Sequence, residues 1–225
     1  MMIKPLYLLA DSQIFFWKDD SGSLARRIRA DLDSSSPRAA YLGASNGDQP
    51  EFYSLFLAAM EMMEVSDCRL VPSKPSREDI AFLEKADLIL LAGGDVERGW
   101  KVFEQNGFKD LISRRRYDGA LLIGVSAGAV QLGLGALTNS AQPKQLPTFR
   151  FAPFYIGAHD EKNDWWDLRA LVNLSQADTR AIGIATGGGA AFYADGTLEP
   201  IRKPLIEIVK QDSKISENLM TPPDS

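Results

Sequence analysis

Short apolar runs alternate with amphipathic stretches through the first two thirds of the chain. KPLYLLA (Lys4 to Ala10) predicts a strand, and SLARRIRADL (Ser23 to Leu32) predicts a helix. AAYLGAS is a second strand. EFYSLFLAAMEMMEV follows it, with Phe52, Phe56, Met60 and Met63 recurring roughly once per turn, a stripe that belongs in a core rather than on a cofactor. CRLVP reads as a buried strand. SREDIAFLEKA reads as a helix capped by Ser76, with Glu78 and Asp79 in its first turn. DLILLAGGD is a strand ending in glycines, and ERGWKVFEQNG a helix stopped by Gly107. ALLIGV is the most continuously apolar run, as a central strand covered on both faces should be. Alternation of this kind predicts an α/β fold, a three-layer sandwich. Strands near residues 4–10, 39–44, 87–92 and 120–125 should lie in one mostly parallel sheet with helices on both faces.

After Gly133 the pattern changes. Gln142 to Phe154 is rich in proline and polar residues and reads as a long loop or irregular hairpin. FYIGAH is a strand with His159 at its end, DWWDLRALVNL a helix and RAIGIA another strand. AAFYADGTLEPI predicts a hairpin turning at Asp195-Gly196, and PLIEIVK a last strand. SENLMTPPDS has no periodicity and reads as a loose tail. No linker divides the chain, which gives one domain over residues 1–212 and a tail over 213–225.

Composition narrows the function. The 225 residues are 45% hydrophobic and 24% charged, ordinary globular values, and the net charge of −5 argues against a nucleic-acid partner. The one basic run, Arg114 to Arg116, sits near a predicted helix end, where cations complement the dipole. One cysteine, Cys68, rules out an internal disulfide framework, suits a reducing compartment, and reads as packing. The N-terminal apolar run is too short for a signal peptide and no run could span a bilayer, so the expectation is a soluble cytoplasmic protein without a membrane partner. A single histidine and no cysteine pair leave no metal site, and no cofactor is expected. Gly187 to Gly189 precede a hairpin rather than a helix, a weak signal for a phosphate loop.

The candidate chemistry lies in LLIGVSAGAVQLG (Leu121 to Gly133). Gly124-Val125-Ser126-Ala127-Gly128 places a serine on a tight turn between strand and helix, so its hydroxyl stands exposed at the strand's end. The helix behind it offers free N–H groups to charge developing there. A serine nucleophile needs a base, and His159 also ends a predicted strand, at the edge where open parallel sheets place ligands. Ala92-Gly93-Gly94-Asp95 ends a third strand. An N–H of Gly94 there could join that of Ala127 in an oxyanion hole, or the glycines could simply turn the chain while Asp95 caps the next helix.

A strand ending in Gly-Gly-Asp, then Gly-x-Ser-Ala-Gly-Ala, then a histidine, resembles the dipeptidase E and cyanophycinase family of serine peptidases, over roughly Lys4 to Tyr193. The resemblance implies a class I glutamine amidotransferase-like fold, with Ser126 as nucleophile, His159 as base, and the N–H groups of Gly94 and Ala127 as oxyanion hole. It also exposes departures. The family's aspartate in a Thr-Asn-Asp setting is replaced by Thr138-Asn139-Ser140, and its glutamate after the strand matching RAIGIA by Thr186. An arginine-containing stretch after the histidine becomes Asp164-Trp165-Trp166-Asp167, which removes the basis for a preference for N-terminal aspartate. Asn139, Ser140 or Thr186 could orient the ring as neutral acceptors. Of Asp160, Glu161, Asp164 and Asp167, all near His159 in sequence, Asp160 and Asp164 are the leading carboxylates.

The chain thus reads as a serine hydrolase whose partner is a small peptide or amide substrate. The alternative is a catalytically silent binding or regulatory member of the same fold. An α/β-hydrolase-type esterase is disfavoured because its histidine comes late, after the acid. A glutamine amidotransferase proper would carry cysteine at position 126. The oligomeric state stays open, a homodimer being one option.

Overall fold

Continuous apolar strands need cover on both faces, and the main sheet of this protein has it. The structure is a computed structural model and describes residues 3–19, 22–138, 142–175, 178–212 and 214–223. The first half runs β1 (Leu6–Leu9), α1 (Leu24–Ala30), β2 (Arg38–Leu42), α2 (Pro50–Met62), β3 (Asp67–Val71), α3 (Arg77–Leu83), β4 (Leu88–Leu91), α4 (Val96–Gln105) and α5 (Phe108–Tyr117). It continues with β5 (Leu121–Val125), α6 (Ala127–Leu132), β6 (Gly135–Leu137), β7 (Gln145–Pro147), β8 (Tyr155–Ala158) and α7 (Trp166–Leu174). The chain ends with β9 (Thr179–Ile184), β10 (Gly189–Phe192), β11 (Leu198–Ile201), β12 (Leu205–Gln211) and β13 (Lys214–Met220).

Seven strands form the main sheet in the order β11-β10-β1-β5-β4-β2-β3. The five from β1 to β3 are mutually parallel, while β10 and β11 run antiparallel at one edge. Side chains alternate across it, as the pleat requires. Leu6, Leu8, Ile89, Leu91 and Leu122 pack with Trp100 and Phe103 of α4 and Ile112 of α5. Tyr7, Leu9, Leu90 and Ile123 pack on the other face with Ile28 of α1 and Phe56 and Met60 of α2. This is the α/β arrangement with a mostly parallel central sheet that strand–helix alternation predicts.

A second sheet, β8-β9-β12-β13, is parallel only between β8 and β9. One face is covered by Trp165 and by Leu168 and Leu171 of α7. From the other, Ile156, Ile182, Ile184 and Leu205 join the same cluster as Leu6 and Leu8 of the main sheet.

Three expectations are corrected. The expected loose tail contains a strand: Lys214–Met220 pairs antiparallel with β12, its exposed polar residues hiding the strand pattern because an edge strand has only one partner. CRLVP is an edge strand of the main sheet, so Cys68 is only half-buried, and burial still pushes its thiol up to about 11. Of the stripe on α2, Phe56, Met60 and Met63 are buried, but Phe52 is 43% exposed. The basic run does lie in the last turn of α5, and Arg116 there is buried over the Phe151 ring, where burial lowers its pKa to about 10. The segment after Gly133 resolves into the short pair β6 and β7.

Candidate active site

Ser126 belongs to two elements at once. Its N–H still pairs across the sheet, donating to Leu9 O at 2.8 Å, while its carbonyl accepts the first helical bond from Val130 N–H at 3.1 Å. Serving both forces φ 51° and ψ −112°, a conformation that an L residue adopts only under strain. The turn is tight enough that α6 touches the neighbouring strand: a Cβ on Gly128 would lie 2.1 Å from Leu91 O. The hydroxyl is thereby presented beyond the end of β5.

His159 comes from the second sheet. Its N–H extends the β8–β9 pairing, donating to Ile184 O at 2.9 Å, and its φ of 47° then turns the chain away. The ring meets the serine: Nε2 lies 2.7 Å from Ser126 Oγ. The end of β4 closes the group from the third side. A Cβ built on Gly93 would lie 3.3 Å from Ser126 Cβ, and Gly94, at φ 127°, passes so close to Ser45 O that a Cβ would clash at 2.2 Å. Asp95 takes the capping role, its Oδ1 accepting from Arg98 N–H at 2.7 Å. Ser126, His159, Gly94 and Ala127 are therefore neighbours, as the strand ends predict.

The candidate ring-orienting residues separate. Asp160 Oδ1 accepts from Asn163 Nδ2 at 2.8 Å, within its own turn. Asp164 is held by Arg169 at 3.2 Å and its side chain is 84% exposed. Asn139 and Ser140 lie outside the described residues. Thr186 sits at the end of β9, and its N–H donates at 3.1 Å to Oε1 of Glu161, the first residue of a short 3₁₀ turn (Glu161–Asn163). Burial acts to raise the Glu161 pKa. The Thr186 hydrogen bonds and the nearby His159 imidazole outweigh it and hold the carboxyl below its ordinary value. Sequence proximity had placed Glu161 near the histidine but said nothing of its direction.

The loop after β9 is braced on several sides. Gly187 N–H donates to Asp11 Oδ2 at 2.6 Å, Lys203 Nζ donates to Thr186 O at 2.6 Å, and Arg202 donates to Gly187 O at 3.2 Å. Gly187 to Gly189 thus form a pinned turn leading into β10 rather than a phosphate loop.

Two cavities flank the serine. One of about 450 Å³ is lined by Phe15, Tyr41, Phe52, Leu55 and Phe56 beside Ser126 and His159, with Arg98 on its wall. The exposure of Phe52 is explained by this cavity, which α2 helps to wall. The other, about 320 Å³, carries Asp95, Glu97, Asp160 and Asp167. Burial, with the Asp160 charge beside it, raises the Asp167 pKa. Among the described residues no group of three or more His, Cys, Asp or Glu is placed to hold a metal ion, and no helix is long and apolar enough to cross a membrane.

The family model for Peptidase family S51 matches residues 8–198. The uncharacterized peptidase YgaJ of Bacillus subtilis (strain 168) is 25% identical over 186 residues, covering 80% of this chain and 78% of that protein. The crystal structure of a peptidase from an acI-B1 Actinobacterium superposes with a TM-score of 0.68 at 16% identity, over 99% of this chain and 96% of the other. A Listeria monocytogenes EGD-e protein described as a peptidase E candidate gives 0.61 at 15% identity, over 98% and 100%. The two solved structures share the fold.

Proposed function

The chain belongs to peptidase family S51, and on that premise we propose that it hydrolyses a small peptide with Ser126 as nucleophile and His159 as general base. The observation carrying this reading is the 2.7 Å contact between Ser126 Oγ and His159 Nε2 at a strained strand–helix turn. In the reaction, Nε2 takes the hydroxyl proton as Oγ bonds to the substrate carbonyl carbon. The resulting oxyanion faces the N–H groups of Gly94 and Ala127. The imidazolium then gives its proton to the departing amine as the C–N bond breaks. Water, deprotonated by the same nitrogen, attacks the acyl-serine and restores the hydroxyl.

The cavity beside the serine supports a substrate with a large apolar side chain, because Phe15, Tyr41, Phe52, Leu55 and Phe56 line it. Arg98 offers a guanidinium to a carboxylate end of such a peptide. A dipeptide and tripeptide library tests this. The expected result is cleavage favouring peptides with Phe, Leu or Met over those with N-terminal Asp, abolished by Ser126→Ala. Arg98→Ala should raise KM about tenfold for free-carboxylate peptides and leave their amides unaffected. Equal cleavage of Asp peptides by the Ser126→Ala variant contradicts the reading.

A further inference from the structure

We propose that Glu161 is the acid that positions His159, its free carboxylate oxygen accepting the Nδ1 proton of the imidazole. The proposal rests on the Ser126–His159 reading and adds to it the group that selects the ring's tautomer. A histidine base works only if Nε2 carries the lone pair toward serine, which requires the proton on Nδ1 and an acceptor for it.

The acceptor is found by following each nearby carboxylate to its partner. Asp160 is bonded to Asn163, Asp164 to Arg169, and Asp11 to the N–H of Gly187. Glu161 differs from all three. Its Oε1 is anchored on Thr186 N–H at 3.1 Å, while Oε2 is buried and has no hydrogen-bond partner among the described residues. A buried charged oxygen left unpaired is costly, and the imidazole two residues back in the chain carries a donor that would satisfy it. Glu161 is two residues beyond His159, and both are tied to the end of β9: His159 N–H bonds to Ile184 O, and Thr186 N–H to Glu161. The anchor itself is immobilised, since Thr186 O accepts from Lys203 and the next residue is held by Asp11 and Arg202. The carboxyl's pKa, held low by Thr186 and the histidine against the effect of burial, keeps it ionised at neutral pH. In catalysis no proton moves to Glu161. It takes the Nδ1–H hydrogen bond in the substrate complex and offsets the positive charge that appears when Nε2 takes the serine proton. Catalytic hydrogen bonds of this sort are often long in a substrate-free enzyme and tighten when substrate binds.

His159 is the chain's single histidine, so its NMR signals need no assignment. In the unmodified protein, imidazole ¹⁵N shifts should report the Nδ1-protonated tautomer at neutral pH. Glu161→Gln keeps an oxygen for Thr186 N–H but removes the charge. It should move the imidazole ¹⁵N shifts away from the Nδ1-protonated tautomer and slow turnover by roughly 100-fold or more with KM little changed. Glu161→Asp should recover part of the rate and of the tautomer preference. If the unmodified ring is Nε2-protonated, or if Glu161→Gln leaves both the tautomer and the rate unaltered while His159→Ala abolishes activity, Glu161 is not the acid and the serine–histidine pair stands. Full activity in His159→Ala overturns the pair itself.

Discussion

The main sheet and the second sheet deliver their halves of the site by opposite means. β5 and α6 are regular, and every residue of β5 is buried; the irregularity is concentrated in Ser126 itself, at φ 51°. β8 and β9 deliver His159 and Glu161 through irregular backbone, with left-handed residues at His159, Asp164 and Trp165 and a loop held by side chains on its amides and carbonyls. Ser126 is set by strain inside a close-packed core. His159 and Glu161 are set by polar contacts at a rim.

The sharpest way to separate the two is to relieve the strain. Ser126→Gly removes the side chain that makes φ 51° costly. It should stabilise the protein by roughly 1–3 kcal/mol, read by thermal or denaturant unfolding, while activity falls by about 10⁴-fold or more. A destabilised Ser126→Gly variant would show that the elbow is not strained and would break the contrast.

A pair of carboxylates refines it. Asp79 and Glu161 each accept a backbone N–H, from Ser76 at 2.9 Å and from Thr186 at 3.1 Å. Asp79 spends its oxygens on structure, Oδ2 on the Ser76 N–H and hydroxyl and Oδ1 on Arg69. Burial acts to raise its pKa, but the Ser76 and Arg69 contacts outweigh it and the net shift is downward. A carboxyl with a depressed folded-state pKa stabilises the fold above its unfolded value, near 4, and that contribution is lost as pH falls through the folded value. Asp79→Ala should therefore cost about 1 kcal/mol at pH 7, progressively less toward pH 2, and nothing in turnover. Glu161→Gln should show the reverse weighting, a large loss of rate with a small loss of stability.

The sequence legibility follows the same division. β1, β2, β4 and β5 announce themselves because burial on both faces demands unbroken apolar runs, and Gly124-x-Ser126-x-Gly128 is readable because the close approach of α6 admits only the smallest residue at Gly128. His159 is readable as the end of an apolar strand. Glu161 is not, because its direction depends on the left-handed turn at His159 and on a hydrogen bond to a residue 25 positions away. β13 escapes for another reason: its residues are exposed and only backbone pairing with β12 makes them a strand. The exposure of Phe52 likewise depends on a cavity that exists only once β1, β4 and α2 are assembled.

The central claim is that Ser126 is a nucleophile activated by His159, and a serine-directed fluorophosphonate tests it most directly. Labelling of the native protein, followed by peptide mass spectrometry, should place the adduct on Ser126. The rate should far exceed that of the unfolded chain and collapse in His159→Ala. Native labelling no faster than that of the unfolded chain, or unchanged in His159→Ala, would contradict the account.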